Sequence, residues 1–419
     1  MNQRLALGID VGTSGVRIAA LSHDLNVVVV TKAAMDLSSG PRHDPAVWSR
    51  ALTEALSSML QTIDPGKIDA ICVDGTSGTV LALDQDDQPL GTALMYNDAV
   101  DDPAIPAAIA QVAPRQSAAH GPSSALSRSI ALQTRPGVVR ITHQADWIAE
   151  RLAGKALPSD ESNTLKTGYD PIARAWPDWM AATGIEMKLL PDVVATGTKT
   201  GVTSGALGLP SGIPIVAGVS DGCASFLATG ASKPGDAVTA LGTTLTLKLL
   251  SERPIFAPEF GIYSHRIGNQ WLAGGASNSG GGALAAHFTP DEISSLSDLI
   301  DPDVPSGFDY YPLPGPGERF PVNDPDLEPR VDPRPELPQA FLHGLLEGIA
   351  KIEQLGFERL AELGGPKLTS IRTVGGGAGN RIWTRMRTRL LNAPEAAVAS
   401  GEAAAGSARI AWTFLKGQT

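Results

Sequence analysis

Residues 5–31 read LALGIDVGTSGVRIAALSHDLNVVVVT. Leu5 to Ile9 is a short apolar run. Asp10 follows, then the small residues Gly12, Thr13, Ser14 and Gly15, after which Val16, Ile18 and Ala20 resume an apolar alternation. The pattern predicts strand, tight polar turn, strand. Glycines let backbone N–H groups approach an anionic oxygen closely, and Thr13 and Ser14 add hydroxyl donors. Asp10 does not bind phosphate directly at neutral pH, but a carboxylate suits a hydrated magnesium ion beside one. An ordinary hairpin with a glycine-rich turn has the same local signature, so this stretch alone leaves both readings open.

Working outward, a chain of 419 residues predicts two domains. A hydrophobic content of 42% suffices for substantial cores, and a formal charge of −11 argues against a nucleic-acid partner. Cys72 and Cys223 lie in apolar surroundings without metal-ligand spacing, which points to buried reduced thiols, a disulfide being the lesser alternative. No secretory signal or membrane-spanning run is recognisable, Leu25–Val30 being too short, so a cytoplasmic protein without a membrane partner is expected.

Further along, Asp44-Pro45 reads as a helix start, with Trp48, Leu52, Leu56 and Met59 at helical spacing. Ile68–Val73 reads as a buried strand leading into Asp74-Gly75-Thr76-Ser77-Gly78-Thr79, either a second phosphate loop or a polar rim for a hydroxylated ligand. Ile213–Val219 is a strand candidate ending in Ser220-Asp221-Gly222. A carboxylate at the carboxyl end of a buried strand is where ligand sites collect in α/β folds, and a helix N-cap is the plainer alternative. Ala237–Leu241 and Leu245–Leu250 are strands joined by Gly242-Thr243-Thr244, so the Gly-Thr hairpin of the N-terminus recurs and suggests two halves of related design. Gly274–Gly282 is nearly all small residues, which suggests close backbone packing or a ligand surface. Pro302–Pro338 reads as a surface excursion, and Leu342, Leu345, Ile349, Ile352 and Leu360 as an amphipathic helix. Ile371–Val374 enters Gly375-Gly376-Gly377-Ala378-Gly379-Asn380, a glycine-rich strand-to-helix junction that admits a flat or anionic ligand or is simply a tight turn. Trp383 just beyond it reads as core or as cover for an adenine ring.

Taken together, DVGTSGV, DGTSGT, GVSDG, LGTT, GGASNSGGG and VGGGAGN occur in an order that resembles the FGGY carbohydrate kinases of the actin-like ATPase fold, over essentially the whole chain. VDGTSGT, GGASN and DYYPLP are most similar to a short ribulose-kinase-like branch. The resemblance implies an α/β protein of two actin-like ATPase (ribonuclease H-like) domains with an interdomain active-site cleft. Residues 1–230 would bind sugar and carry the first phosphate loop. Residues 231–419 would bind nucleotide, with a last helix, about 402–419, open to packing on the first domain. The implied nucleotide contacts are Gly12, Thr13 and Ser14, then Gly242, Thr243 and Thr244, then Gly376, Gly377, Asn380 and Trp383. The implied sugar contacts are Asp10, Ser14, Gly15, Asp74, Thr76, Ser77 and Asp221. Asp10 would organise Mg²⁺ beside the phosphates of ATP, and Asp221 matches the catalytic base.

Two departures from the family stand out. Thr76 and Ser77 lie where typical xylulose kinases carry a Met-His pair. Residues 123–135 lack the usual Lys-x-x-Trp signature, so a shortened or altered lid is expected there. The chemistry follows from the residues: a carboxylate takes the proton of a sugar hydroxyl as it attacks the γ-phosphoryl group of ATP. The expected activity is ATP-dependent phosphorylation of a ketopentose by a monomer or homodimer. D-ribulose ranks first, and D-xylulose or another keto sugar or polyol is the alternative. An actin- or chaperone-type ATPase without a sugar substrate and a catalytically weak sugar sensor are the readings from other classes.

Overall fold

The computed structural model describes residues 4–417. The opening stretch forms β1 (Leu5–Val11), β2 (Gly15–Ser22) and β3 (Val27–Ala34). α1 (Pro45–Thr62) starts at the expected signal. The Asp44 carboxylate accepts from the Ala46 N–H at 2.9 Å, a cap contributing about 1 kcal/mol. β4 (Ile68–Gly75) and β5 (Val80–Leu83) flank the DGTSGT turn. α2 (Ala104–Val112), α3 (Ala125–Leu132), β6 (Arg140–His143) and α4 (Gln144–Ala153) follow. Short strands β7 (Ser159–Asp160), β8 (Val193–Val194), β9 (Lys199–Val202) and β10 (Pro214–Val216) lead to α5 (Asp221–Ala228).

The remaining chain holds β11 (Asp236–Leu241), β12 (Leu245–Ser251), β13 (Tyr263–Ile267) and β14 (Gln270–Ser277). It continues through α6 (Gly281–Ala285), α7 (Pro290–Ser297), α8 (Pro338–Glu362), β15 (Ser370–Val374), α9 (Arg381–Leu391) and α10 (Ala403–Lys416). Two compact units result. One runs to Gly230 and takes in His265–Gly268 and the chain from Ala399 onward; the other comprises Ala231–Ser264 and Asn269–Val398.

The first unit is built on a six-stranded sheet of order β3-β2-β1-β4-β10-β9. All seven residues of β1 are buried, because this central strand is covered on both faces. Leu5, Leu7, Ile9 and Val11 pack in one core with Val47, Trp48, Leu52 and Leu56 of α1. Side chains alternate along a strand, so Ala6, Gly8 and Asp10 point to the other face. There Gly8 lies against α10: a Cβ at this position would sit 1.8 Å from the Ala404 carbonyl oxygen. The Trp412 indole N–H donates to the Leu21 carbonyl at 3.0 Å and fixes the far end of the helix. Cys72 and Cys223 are both free and buried.

The second unit is built on a sheet whose strands β14-β12-β11-β15, in that order, lie wholly within it. These four strands repeat the plan of β3-β2-β1-β4. In each, a Gly-Thr hairpin pairs antiparallel and its first strand has a parallel partner on the other side. The 25-residue α8 supplies Phe341, Leu342, Leu345, Ile349 and Leu360 to this core. Beneath the strands, Arg387 of α9 pairs bidentately with Glu353 of α8 at 2.5 and 2.6 Å, fully buried. Thr239 of β11 and Thr373 of β15 complete the pair at 2.5 and 2.8 Å. Burying this ion pair is tolerated because every face of it is hydrogen-bonded. It anchors the two strands whose ends carry the 242–244 and 375–380 turns.

Candidate active site

The first unit gathers three carboxylates at the carboxyl ends of adjacent parallel strands. Asp10 ends β1 and is register partner to Asp74 on β4; Gly75 bridges to Ser220, the residue before Asp221. Asp74 is fully buried, and burial, with Asp10 beside it, drives its carboxyl well above the ordinary range. Burial also raises Asp10, but a hydrogen bond from Asp74 and the Arg17 guanidinium, 3.4 Å away, favour its charge. Of the pair, Asp74 is therefore the carboxyl driven further toward its protonated form. The second Asp74 oxygen accepts from Ser407 Oγ on α10 at 2.5 Å.

Asp221 is the first residue of α5; the N-cap position belongs to Ser220. The simple capping alternative for Asp221 is thereby corrected, although its Oδ1 does accept the neighbouring Gly222 N–H at 2.7 Å. Its charge acts on both Asp10 and Asp74. The start of α5 is held from below by the 159–163 loop. The Ser220 N–H donates to Ser162 Oγ at 3.1 Å, and the Ser162 N–H donates to Asp160 at 2.7 Å. Burial, with Asp146 near, pushes Asp160 up to about 7.

Asp160 therefore keeps a proton in the fold that an unfolded carboxyl loses near pH 4, so stability declines as pH rises from about 4 through about 7. Asp160→Asn should remove that slope. Melting curves between pH 4.5 and 7.5 should show the wild type losing ground to the variant as pH rises. A constant difference between the two would mean that Asp160 is ionised throughout.

The 12–15 turn is closed by Gly12 N–H donating to the Gly15 carbonyl at 3.0 Å. Gly15 is required by close approach, since a Cβ there would lie 2.4 Å from the Ala33 carbonyl oxygen. Ser14 is exposed, and Gly12 and Thr13 are half-buried. In the 74–79 turn, the Thr76 N–H and hydroxyl both bond Gln144 Oε1, at 3.0 and 2.7 Å, and Thr76 meets Thr79 at 2.6 Å. Gln144 Nε2, Ser77 Oγ and Asp74 Oδ1 are buried without a partner other than the Asp10–Asp74 contact. Sequence reading missed Gln144, Arg17, Ser407 and Glu402, the last pairing with Lys32 at 2.6 Å. None of the four belongs to a local motif.

The second unit holds a cavity of about 820 Å³, large enough for a nucleotide. Gly242, Thr243, Gly376, Gly377, Asn380 and Trp383 line it; Thr244 is not among its lining residues. Gly281 and Gly282, from the small-residue run read as close packing or a ligand surface, also line it, and Ile293, Ser297 and Asp298 add a wall that motif reading left out. The Asn380 side chain caps α9 by accepting from the Trp383 N–H at 3.0 Å and donates to Ser297 Oγ at 2.8 Å. Trp383 is both a core residue and a lining residue. It is buried in the core with its indole N–H on the Leu346 carbonyl at 3.0 Å, and its ring forms part of the cavity wall.

Among the described residues no cluster of three or more His, Cys, Asp or Glu is arranged to hold a metal. A charged Asp10 fits a magnesium ion that arrives with phosphates and keeps most of its waters, but not a cage built from protein alone. Nor is any helix among the described residues long and apolar enough to cross a membrane.

Comparison with known proteins joins these observations. The model of the FGGY family of carbohydrate kinases, N-terminal domain, matches residues 5–102, and that of the C-terminal domain matches 237–413. A xylulose kinase of Streptomyces coelicolor is 27% identical, the match covering 93% of this chain and 83% of that protein. An autoinducer-2 kinase of Yersinia enterocolitica is 28% identical, over 62% of this chain and 55% of its own length. The crystal structure of a "xyloylose kinase" from Brucella ovis superposes with a TM-score of 0.86 at 24% identity, covering 99% of this chain and 91% of that one, and so shares its fold. The carboxylate-bearing strand ends, the paired Gly-Thr hairpins and the two family matches thus agree: this chain belongs to the FGGY family of carbohydrate kinases.

Proposed function

We propose that the protein transfers the γ-phosphoryl group of ATP to a hydroxyl of a ketopentose, D-ribulose in the first place, with Asp221 as general base. The observation that carries the acceptor reading is the 74–79 turn. Its Thr76 and Ser77 are small and hydroxylated, and Ser77 Oγ has no protein partner. Short hydroxyls suit a polyhydroxylated ligand, and they replace the Met-His pair of typical xylulose kinases. The xylulose kinases among the relatives favour D-xylulose as the second reading.

In this proposal Asp221 accepts the proton of the attacking hydroxyl. Asp10, its charge favoured by Arg17 and by the hydrogen bond from Asp74, would hold Mg²⁺ through water. The ion supplies charge stabilisation at the transferring phosphoryl oxygens. The 12–14 and 242–244 turns offer phosphate contacts from backbone N–H groups and hydroxyls, and the cavity beside Trp383 takes the adenosine. Localisation in the cytoplasm and a monomeric or homodimeric state belong to the same proposal.

An ADP-release assay over pentuloses, hexuloses and polyols tests it. D-ribulose should give the highest kcat/KM; a preference for D-xylulose would select the second reading, and ADP release unaffected by any sugar would reject the sugar acceptor. The nucleotide assignment has its own test. A Cβ on Gly376 would meet open space, so Gly376→Leu extends a side chain at the cavity without disturbing its surroundings. The KM for ATP should rise at least about tenfold, the loss of about 1.4 kcal/mol of binding, with the sugar KM little changed. The reverse pattern would remove this cavity from ATP binding.

A further inference from the structure

Within residues 123–135, where an altered lid is expected, Ala125–Leu132 form the packed helix α3. Ala125, Leu126, Ile130 and Leu132 of α3 lie in a core with Val80, Ala82 and Ile141. Inside it is a cation that no motif announced. Arg128 is 1% exposed. Its Nε and Nη2 donate to the Gly78 carbonyl at 3.2 and 2.7 Å. Its Nη1 donates to the carbonyls of Tyr96 at 3.1 Å, Asp98 at 2.9 Å and Ser123 at 2.6 Å. Five hydrogen bonds thus go to four backbone carbonyls, taken from three separate segments: the 76–79 turn, the 96–98 loop and the turn before α3.

These segments are also joined to one another. The Tyr96 N–H donates to Thr79 Oγ1 at 3.0 Å, and Thr79 meets Thr76, which is held by Gln144. The Val100 N–H donates to the Pro122 carbonyl at 3.0 Å. The Asp98 carboxylate accepts from the Met95 N–H at 2.7 Å and lies 3.1 Å from His43. Burial lowers the Arg128 guanidinium to about 10, with Asp98 drawing it back up, so it remains charged at neutral pH. A buried cation satisfied by carbonyls is a costly way to stabilise a fold, because well-packed apolar side chains of similar volume often do as well or better. A planar fork with five donors is, however, well suited to fix several carbonyls at set separations, which a lysine ammonium on a flexible stem does poorly.

We propose that Arg128 is the positioning residue of the acceptor site: it fixes the 76–79 turn, the 96–98 loop and the 121–124 turn relative to one another and so determines which ketopentose binds productively. This rests on the reading of Thr76 and Ser77 as sugar contacts. Arg128 touches the backbone of these segments rather than the substrate, so its effect falls on sugar KM and sugar discrimination and spares ATP.

Steady-state kinetics of Arg128→Met, Arg128→Lys and Ser77→Ala, together with hydrogen–deuterium exchange, test the proposal. Arg128→Met should raise the sugar KM at least about tenfold, the size of one lost charged hydrogen bond, and narrow the preference between D-ribulose and D-xylulose. The KM for ATP should stay within about twofold, well under 1.4 kcal/mol. Arg128→Lys should restore part of the loss. Amides at 77–80, 95–99 and 123–125 should exchange faster together, while 5–11 stay protected. Equal shifts of both KM values, or unchanged exchange at the three segments, would overturn the proposal. If Ser77→Ala raises the sugar KM and Arg128→Met does not, Arg128 alone is wrong. If neither changes it, the sugar reading of the turn fails. Should Arg128→Met not fold, Arg128→Lys supports the proposal by raising sugar KM alone and overturns it by leaving both constants unchanged or raising both alike.

Discussion

Asp221→Asn should lower sugar-dependent ADP release at least about a hundredfold while leaving ATP affinity nearly unchanged. A general base typically contributes on the order of 10²–10⁴ in rate, or roughly 3–5 kcal/mol of barrier. The substitution is well matched to the question. An asparagine oxygen still accepts from the Gly222 N–H, so this bond of Oδ1 survives. Ser220, not Asp221, occupies the N-cap position, which removes the usual source of lost helix stability. What disappears is a charge within electrostatic reach of Asp10 and Asp74 and the ability to take up a proton. The cavity proposed for ATP is lined by other residues, so ATP titration monitored without sugar should match the wild type. Steady-state rates and a thermal melt on the same preparation decide the matter. A normal kcat with a lowered melting point would take Asp221 out of the mechanism.

The largest effect on stability is expected from Gly406→Ala. A Cβ at this position would sit 1.9 Å from the Ala224 carbonyl oxygen and 3.0 Å from the Ala228 N, both backbone atoms of α5. Backbone does not yield as a side-chain tip does, so α10 must move away from α5. On its other side α10 is held against β1, where Gly8 admits the Ala404 carbonyl, and is bonded through Ser407 to Asp74. Overpacking of this kind costs typically about 1–3 kcal/mol and occasionally more. For a unit of this size each kcal/mol shifts Tm by roughly 2–4 °C, so a drop of about 2–12 °C is expected. Because α5 starts at Asp221, kcat in the folded fraction should fall as well. Gly401→Ala is the control: that glycine is exposed, has an ordinary φ and has nothing within 4 Å of its would-be Cβ. Equal melting points for the two variants would show that α10 does not press on α5 as described.

The parts of this protein legible in the chain are those whose signal is short-ranged. A Gly-Thr turn between apolar runs makes a hairpin wherever it occurs, so β1–β2 and β11–β12 could be read from a dozen residues each. Their recurrence, with Asp221 between them, carried the family and the α/β fold. The glycines of 375–380 announced a junction open to a ligand, and Asp44-Pro45 announced a helix start, because caps and turns are decided by neighbouring residues. Other features depend on groups far apart in sequence, for which no local pattern exists. Ser407 meets Asp74 across 333 residues and favours its charged form, while burial with Asp10 beside it drives that carboxyl up all the same. Arg128 sits in a helix whose local pattern announces nothing of the 78 and 96–98 carbonyls that it binds. The last helix is expected at about 402–419, open to packing on the first domain. Its place between β1 and α5 follows from Gly8 and Gly406, whose missing side chains have meaning only when another backbone lies against them. Short-range sterics and periodicity decided the elements; desolvation and close packing between distant segments decided their charges and their contacts.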